Sequence, residues 1–236
     1  MNHIMKRVSI LQIGDMQNGF IQKEGNLYVP GAENLIDPAN DFLHQVSEDV
    51  FDLTLIVLDT HFKEEYYETQ ESRQFPIHCE YGSRDWELAI DLKGAPNIRY
   101  MMKNNFSMWT NLRKRALQCT DPVKRHVYKN LFYLLDDPHT PSKCIPRDEF
   151  LKVFFSGSIP AEVEVTLIGV ASDYCNRYSM EGWLSRGARV TILQDLTKGI
   201  EKETPLVLAE DRYRCYIPES LRAVESTIYL KEVADR

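Results

Sequence analysis

Short, nearly continuous apolar runs recur along the chain, separated by stretches with helical spacing. The first is RVSILQIGD, from Arg7 to Asp15, and the second is LTLIVLD, from Leu53 to Asp59. A weaker third is IRYMMK, from Ile98 to Lys103. EVEVTLIGV, from Glu162 to Val170, and ARVTILQD, from Ala188 to Asp195, follow. STIYLKEV, from Ser226 to Val233, reads either as a sixth strand or as a terminal helix. Runs without alternation suit strands buried on both faces, as in a parallel sheet covered by helices. Between the first two runs, Ala32 to Ser47 carries apolar residues at helical intervals, with Pro38 interrupting or restarting the helix. SMEGWLSRGARV, after Tyr178, reads as a helix ending near Gly187. The pattern predicts an α/β fold in three layers, α/β/α, built from right-handed βαβ units.

One region breaks the alternation. From about residue 107 to 159 the chain holds NLRKRALQC, HVYKNLFYLL and the turn-rich DDPHTPSKCIP. It predicts one or two extra helices and an irregular loop. Its position after the Lys103 strand predicts that it lies outside the sheet, at the pocket mouth or at a subunit contact. No repeat, low-complexity tract or Gly/Ser linker divides residues 1–236, so they read as one domain with this insertion.

The 236 residues carry 28 Lys and Arg against 35 Asp and Glu, a net charge of −7. That balance does not favour nucleic acid. The locally basic stretch from Arg113 to His126 reads as a solvated helix face. No run approaches the about 20 apolar residues of a membrane span. The first apolar run stops at Asp15 without a small-residue cleavage site, unlike a signal peptide. The five cysteines are irregularly spaced, with no C-x-x-C pair. A disulfide framework or a Cys-rich zinc site does not fit, and a reducing cytoplasm does.

Ligands of an open parallel sheet bind beyond the carboxyl ends of its strands. There the sequence delivers Asp15, then Asp59 with His61, then Lys103, then the segment Ala171 to Cys175. Any one of these has an ordinary explanation as a polar strand terminus; four together are harder to dismiss. Asp59 and His61 are two apart, so in extended backbone they point the same way. His78 follows in the turn-like FPIHC. Asp plus two His suits zinc, manganese or iron with open positions. The plainer alternative is a capping Asp with two surface histidines. Cys175 falls at a strand-to-helix junction, where a helix N-terminus and a nearby ammonium lower a thiol pKa. That predicts an easily ionised thiol, the first of the five to be alkylated; the plainer alternative is a small core residue.

These residues carry a resemblance. LQIGDMQNGF resembles the opening strand and D-x-Q-N-x-F motif of the isochorismatase-like cysteine hydrolases. LDTHF, with FPIHC seventeen residues on, resembles the D-W-H and W-P-x-H-C metal motif of the nicotinamidases (pyrazinamidases) within that superfamily. MKNNFSMW resembles the K-x-x-x-S-x-F segment, and GVASDYCNRY the G-x-A-x-D-x-C segment. The matches occur in family order from Val8 to about Ile200. The resemblance implies a mainly parallel six-stranded sheet and a triad of Asp15, Lys103 and Cys175. It implies a divalent ion, zinc first with manganese or iron as alternatives, on Asp59, His61 and His78. It implies a cis Val170–Ala171 peptide and an oxyanion hole from the backbone N–H groups of Ala171 and Cys175. Phe20 and Phe75 become candidates to pack on a substrate ring. The implied reaction is hydrolysis of nicotinamide to nicotinate and ammonia through a Cys thioester, as in NAD salvage. The implied partner is a small amide, with no nucleic acid or membrane partner and a homo-oligomer left open.

Thr60 replaces the usual aromatic of D-W-H, Gly19 replaces a frequent Asp, and KEEYYETQESRQ does not match the usual ligand-side loop. These departures bear on the substrate more than on the chemistry. A cysteine hydrolase of the same fold acting on another amide, carbamoyl or ureido compound is the alternative. A scaffold that merely kept the fold has no use for the whole triad.

Overall fold

The computed structural model describes residues 7–113, 115–155 and 162–235; positions 114 and 156–159 of the insertion lie outside them. The strands are β1 (Arg7–Gly14), β2 (Leu53–Asp59), β3 (Ile98–Lys103), β4 (Tyr133–Leu135), β5 (Cys144–Pro146), β6 (Glu162–Val170), β7 (Arg189–Lys198) and β8 (Leu221–Val224). They form one sheet in the order β5-β4-β3-β2-β1-β6-β7-β8. The pairs from β3 to β8 across the sheet are all parallel, while β4 and β5 are antiparallel. The helices are α1 (Asn18–Ile21), α2 (Ile36–Gln45), α3 (Lys63–Tyr66), α4 (Pro122–Lys129), α5 (Arg147–Phe155), α6 (Cys175–Leu184), α7 (Thr204–Leu208) and α8 (Ser226–Ala234).

Side chains of a strand alternate between faces, and here both faces are covered. Leu11 and Ile13 of β1 join Phe42 of α2, Val127 of α4 and Tyr229 of α8 on one side. Val8 and Ile10 join Leu151 of α5, Trp183 of α6 and Val207 of α7 on the other. β2 is buried at every position, which is why its sequence shows no alternation. The expected three layers are therefore present, but the sheet has eight strands, not six.

Two differences have local causes. The insertion does not lie outside the sheet, as its position suggests. Its β4 and β5 extend the β3 edge, with Met101 opposite Leu134 and Leu134 opposite Ile145. Each is only three residues long, too short to show periodicity. At the other edge Ser226–Ala234 is helical, and the edge strand is the preceding Leu221–Val224. Ser226, Tyr229, Leu230 and Val233 are the residues of that helix that sit against or within the core, a helical spacing. Ser226 N and Oγ donate to the Asp195 carboxylate at 2.8 and 2.5 Å, tying the helix start to β7.

Chain order runs outward from β1 in both directions, so β1 and β6 flank the point where the winding reverses. That is where an open α/β sheet leaves a crevice. The two strands approach closely at their carboxyl ends. A Cβ at Gly169 would sit 2.0 Å from the Gly14 carbonyl oxygen, and the φ of Gly169 is +109°. Only glycine satisfies both conditions. Among the described residues no helix is long and apolar enough to cross a membrane.

Candidate active site

Each group is delivered by a strand end. Asp15 follows β1 with φ +53°, a left-handed turn that takes the chain off the strand. Lys103 and Asp59 are the last residues of β3 and β2 and are register partners. Cys175 opens α6, five residues beyond β6, after a cis Val170–Ala171 peptide. Lys103 Nζ lies 3.0 Å from Asp15 Oδ2, 3.2 Å from Asp59 Oδ1 and 3.4 Å from Cys175 Sγ. Lys103 and both carboxylates are 1% exposed, and Cys175 is 8% exposed. One ammonium thus sits among two carboxylates and a thiol, shut away from water. Cys175 is both a buried residue and a member of a polar cluster, so the two readings of its sequence are not exclusive.

The electrostatics correct one expectation. Burial pushes the Cys175 thiol well up, and Asp15 and Asp59 push it further, against the pull of Lys103. Desolvation therefore favours the neutral thiol over the thiolate. Asp15 is raised by burial and by Asp59, against Lys103 and its hydrogen bond with Cys175. A carboxylate that holds a proton more readily than usual, close to a thiol that releases it less readily, suits exchange of that proton. Burial works against the Lys103 ammonium, but Asp15 and Asp59 outweigh it and hold it well above its ordinary value. Preferential alkylation of Cys175 does not follow either: its thiol is buried and raised, whereas Cys215 is exposed.

Beside this cluster lies a second. His61 and His78 place Nε2 at 3.1 and 3.0 Å from Asp59 Oδ2. Glu71, which sequence reasoning did not single out, faces both histidines at 3.8 and 3.6 Å. The four side chains are buried, and their ligand atoms all lie within 4.8 Å of one another. Two imidazoles and two carboxylates are a donor set suited to zinc or a similar divalent ion. Glu71 Oε2 is buried without a hydrogen-bond partner, as a group meant for a cation would be. Burial lowers His61, leaving the neutral imidazole that ligates metals. His78 Nδ1 lies 2.8 Å from the Pro76 carbonyl, which turns Nε2 inward.

Supporting contacts come from residues whose roles the sequence alone did not assign. Gln17, the Gln of D-M-Q-N-G-F, bridges β1 and β2. Its Nε2 donates to the Asp59 carbonyl at 2.9 Å, and its Oε1 accepts from Asp59 N at 2.8 Å. The Tyr66 hydroxyl lies 3.0 and 2.9 Å from the carbonyls of Phe75 and Pro76 and so holds the His78 loop. Thr60, where the D-W-H motif has an aromatic, accepts from Trp86 Nε1 at 3.0 Å. Asp173 accepts from the N–H groups of Ile200, Glu201 and Lys202 and so ties the loop after β7 to the segment before Cys175.

Over the two clusters lies a narrow cavity walled by Phe20, Phe75, Phe106, Ala171, Tyr174 and Ile200, with Asp59, Glu71, His78 and Cys175 also lining it. Its free space is about 10 Å³, about one water. Phe75, Phe106 and Tyr174 close on one another with ring centroids 5.4–5.9 Å apart. Both predicted aromatics, Phe20 and Phe75, line it. Phe106 and Tyr174 were missed, although both stand inside the motif segments. Larger clefts lie elsewhere on the surface, but the buried Cys, Lys, Asp and His groups meet only here among the described residues.

Glu71 gives a pH prediction for chelator-treated protein. Burial and then Asp59 hold its carboxyl up at about 8 against an ordinary 4.5. The folded chain keeps this proton where the unfolded chain has lost it. Its stability contribution is therefore full below 4.5, falls as pH rises towards 8, and is gone above. Urea melts should show Glu71→Gln losing less stability than the parent between about pH 5 and about pH 8.5. Parallel losses would remove Glu71 as the titrating group.

No family model and no curated protein matches the sequence. Solved structures match the fold. The pyrazinamidase of Pyrococcus horikoshii, solved in complex with zinc, is 22% identical, with a TM-score of 0.57 over 92% of this chain and 98% of that one. The nicotinamidase/pyrazinamidase of Bacillus subtilis is 17% identical, with a TM-score of 0.59 over 92% and 100%. The N-carbamoylsarcosine amidase of Thermoplasma acidophilum is 16% identical, with a TM-score of 0.52 over 93% and 96%. The chain has the fold of the isochorismatase-like hydrolases.

Proposed function

We propose that the protein is a metal-assisted cysteine amidohydrolase that converts nicotinamide and water to nicotinate and ammonia. The observation that carries the reading is the meeting of Cys175, Lys103 and Asp15 beside Asp59, His61, Glu71 and His78. The zinc complex of the P. horikoshii pyrazinamidase and the aromatic walls of the cavity favour a ring-bearing amide. A small carbamoyl compound, as the name of the T. acidophilum amidase suggests, is the second reading.

Asp15 takes the Cys175 proton as sulfur attacks the amide carbonyl. Lys103, charged throughout, stabilises the forming thiolate. The Cys175 N–H has no intrahelical partner because it opens α6; with that of Ala171 it would receive the oxyanion. Asp15 then returns its proton to the leaving nitrogen, and ammonia departs as the C–N bond breaks. Water attacks the thioester while Asp15 takes its proton, and that proton goes back to sulfur as nicotinate leaves. A divalent ion on Asp59, His61, Glu71 and His78 would supply a Lewis-acid anchor for the ring nitrogen. The aromatic walls exclude bulk water and must part to admit substrate. Five free cysteines suit a reducing cytoplasm.

The test is metal content together with ammonia release from a panel of amides. The thiol chemistry does not need the ion, so a chelator should act mainly on KM for nicotinamide, by about 10-fold or more. His61→Ala should do the same. Efficient nicotinamide hydrolysis by metal-free protein would refute the ligand role. Bound metal without activity on nicotinamide, but with activity on a carbamoyl compound, would transfer the reading to the second substrate class.

A further inference from the structure

The basic stretch from Arg113 to His126 does not form the single helix face that its sequence suggests. Only Pro122–Lys129 is helical; residues 111–113 and 115–117 are not. The two segments border a groove of about 520 Å³ lined by Arg113, Arg115, Arg125, Lys129, Tyr128 and Asn111 together with two apolar residues. Among the described residues no carboxylate lines it. That is unusual in a chain whose acidic residues outnumber its basic ones, 35 to 28. Arg222, by contrast, pairs with Glu232, Arg212 with Glu181 and Glu210, and Arg189 with Glu162 and Glu164. Here Arg113 feels the charge of the half-buried Glu65, and Arg115 pairs with Glu68, the two being 54% and 61% exposed. Such a pair is easily given up in water.

Two of the cations are held in place. The Arg113 guanidinium donates to the carbonyls of Tyr128, Lys129 and Leu131. It also lies 5.5 Å from the Tyr128 ring centroid and 5.7 Å from that of Phe132. Arg125 Nη1 donates to the Cys119 carbonyl at 2.7 Å. Arg113 thus spends most of its N–H groups on the protein and shapes the wall, whereas among the described residues Arg125 spends one and, already held, loses less freedom when its other donors meet an anion.

We propose that this groove binds a polyphosphate anion, a compact ligand with two or more phosphate groups. Arg115, Arg125 and Lys129 together carry more charge than one phosphate, and the volume is that of a small-ligand site. A long nucleic acid fits less well, because its backbone would run beyond the groove onto a protein of net charge −7. The site stands independently of the proposed hydrolase chemistry.

Calorimetric titration of the full chain with pyrophosphate and with ADP tests it. Saturable binding is expected, weakening as salt rises. The double variant Arg125→Glu/Lys129→Glu should bind at least tenfold more weakly, with basal amide hydrolysis unchanged. Lys93→Glu, an exposed lysine on another loop, should bind as the parent does. Equal affinities for the two probes assign the site to inorganic polyphosphate, and tighter ADP binding assigns it to a nucleotide. If the double variant loses its circular-dichroism signature, Arg125→Ala serves instead, with an expected loss of at least threefold. No saturable binding, an equal loss in Lys93→Glu, or tighter binding of an acidic peptide or an oligonucleotide would overturn the proposal.

Discussion

Cys175→Ala is expected to abolish ammonia release, by about 10⁴-fold or more, while leaving the fold intact. Among the described residues Cys175 is the thiol that Lys103 contacts, at 3.4 Å; Cys79 feels the charges of Asp59, Asp15 and Lys103 from further off. Cys79 is buried beside the carbonyl of Asp85, with its Sγ 3.5 Å away. Cys215 is on the surface, and Cys119 and Cys144 are part-buried outside the site. Removing one sulfur leaves a small void, costing about 1 kcal/mol. The variant should therefore melt cooperatively near the parent temperature. Activity within about tenfold of the parent would end the nucleophile assignment, because residual catalysis from the rest of a site is orders of magnitude lower.

Lys103→Ala should damage both stability and activity. It removes the ammonium that contacts Asp15 and Asp59 at 3.0 and 3.2 Å, and all three groups are buried. Breaking a buried ion pair by deleting one partner costs about 3–5 kcal/mol, since the remaining charges stay desolvated. Part of that cost is met by protonation of Asp15, whose carboxyl is already raised by burial. That proton then blocks Asp15 as the acceptor for Cys175. Turnover should fall by about 10²–10³-fold even in the folded fraction. Lys103→Arg, which keeps the charge, should recover more stability than activity. Denaturant melts and single-turnover assays on the same samples separate the two effects. Parent-like stability of Lys103→Ala would contradict the ionic role.

The parts legible in the sequence are those whose cause is local. β1, β2, β6 and β7 announce themselves as apolar runs because both faces of the central sheet are buried. Asp15, Asp59 and Lys103 are legible because strand ends deliver them, and Cys175 because its segment changes from strand to helix pattern. The two edges were harder. β4, β5 and β8 are three or four residues long and take their strand state from a neighbour rather than from their own pattern. Glu71 sits in a helical-turn segment that departs from the ligand-side loop of the resemblance, so only folding brings it to the histidines. Gln17 was in plain view inside a motif, but its bridge between two strand ends exists only in three dimensions. The upward push on the Cys175 thiol is not legible in the sequence, because a helix N-terminus is visible there whereas burial beside Asp15 and Asp59 is not. Thr60 is a departure from the motif whose hydrogen-bond partner, Trp86, stands 26 positions on and is visible only in the folded chain.

The central claim is a covalent acyl-cysteine formed and cleared at the switch point of the sheet. The most direct measurement is acid-quenched turnover of metal-loaded protein on nicotinamide, followed by peptide mass spectrometry. A nicotinoyl group should be found on the peptide carrying Cys175, released by hydroxylamine, and missing in Cys175→Ala. Turnover with no acylated cysteine, or with the acyl group on Cys79, Cys119, Cys144 or Cys215, would contradict the account.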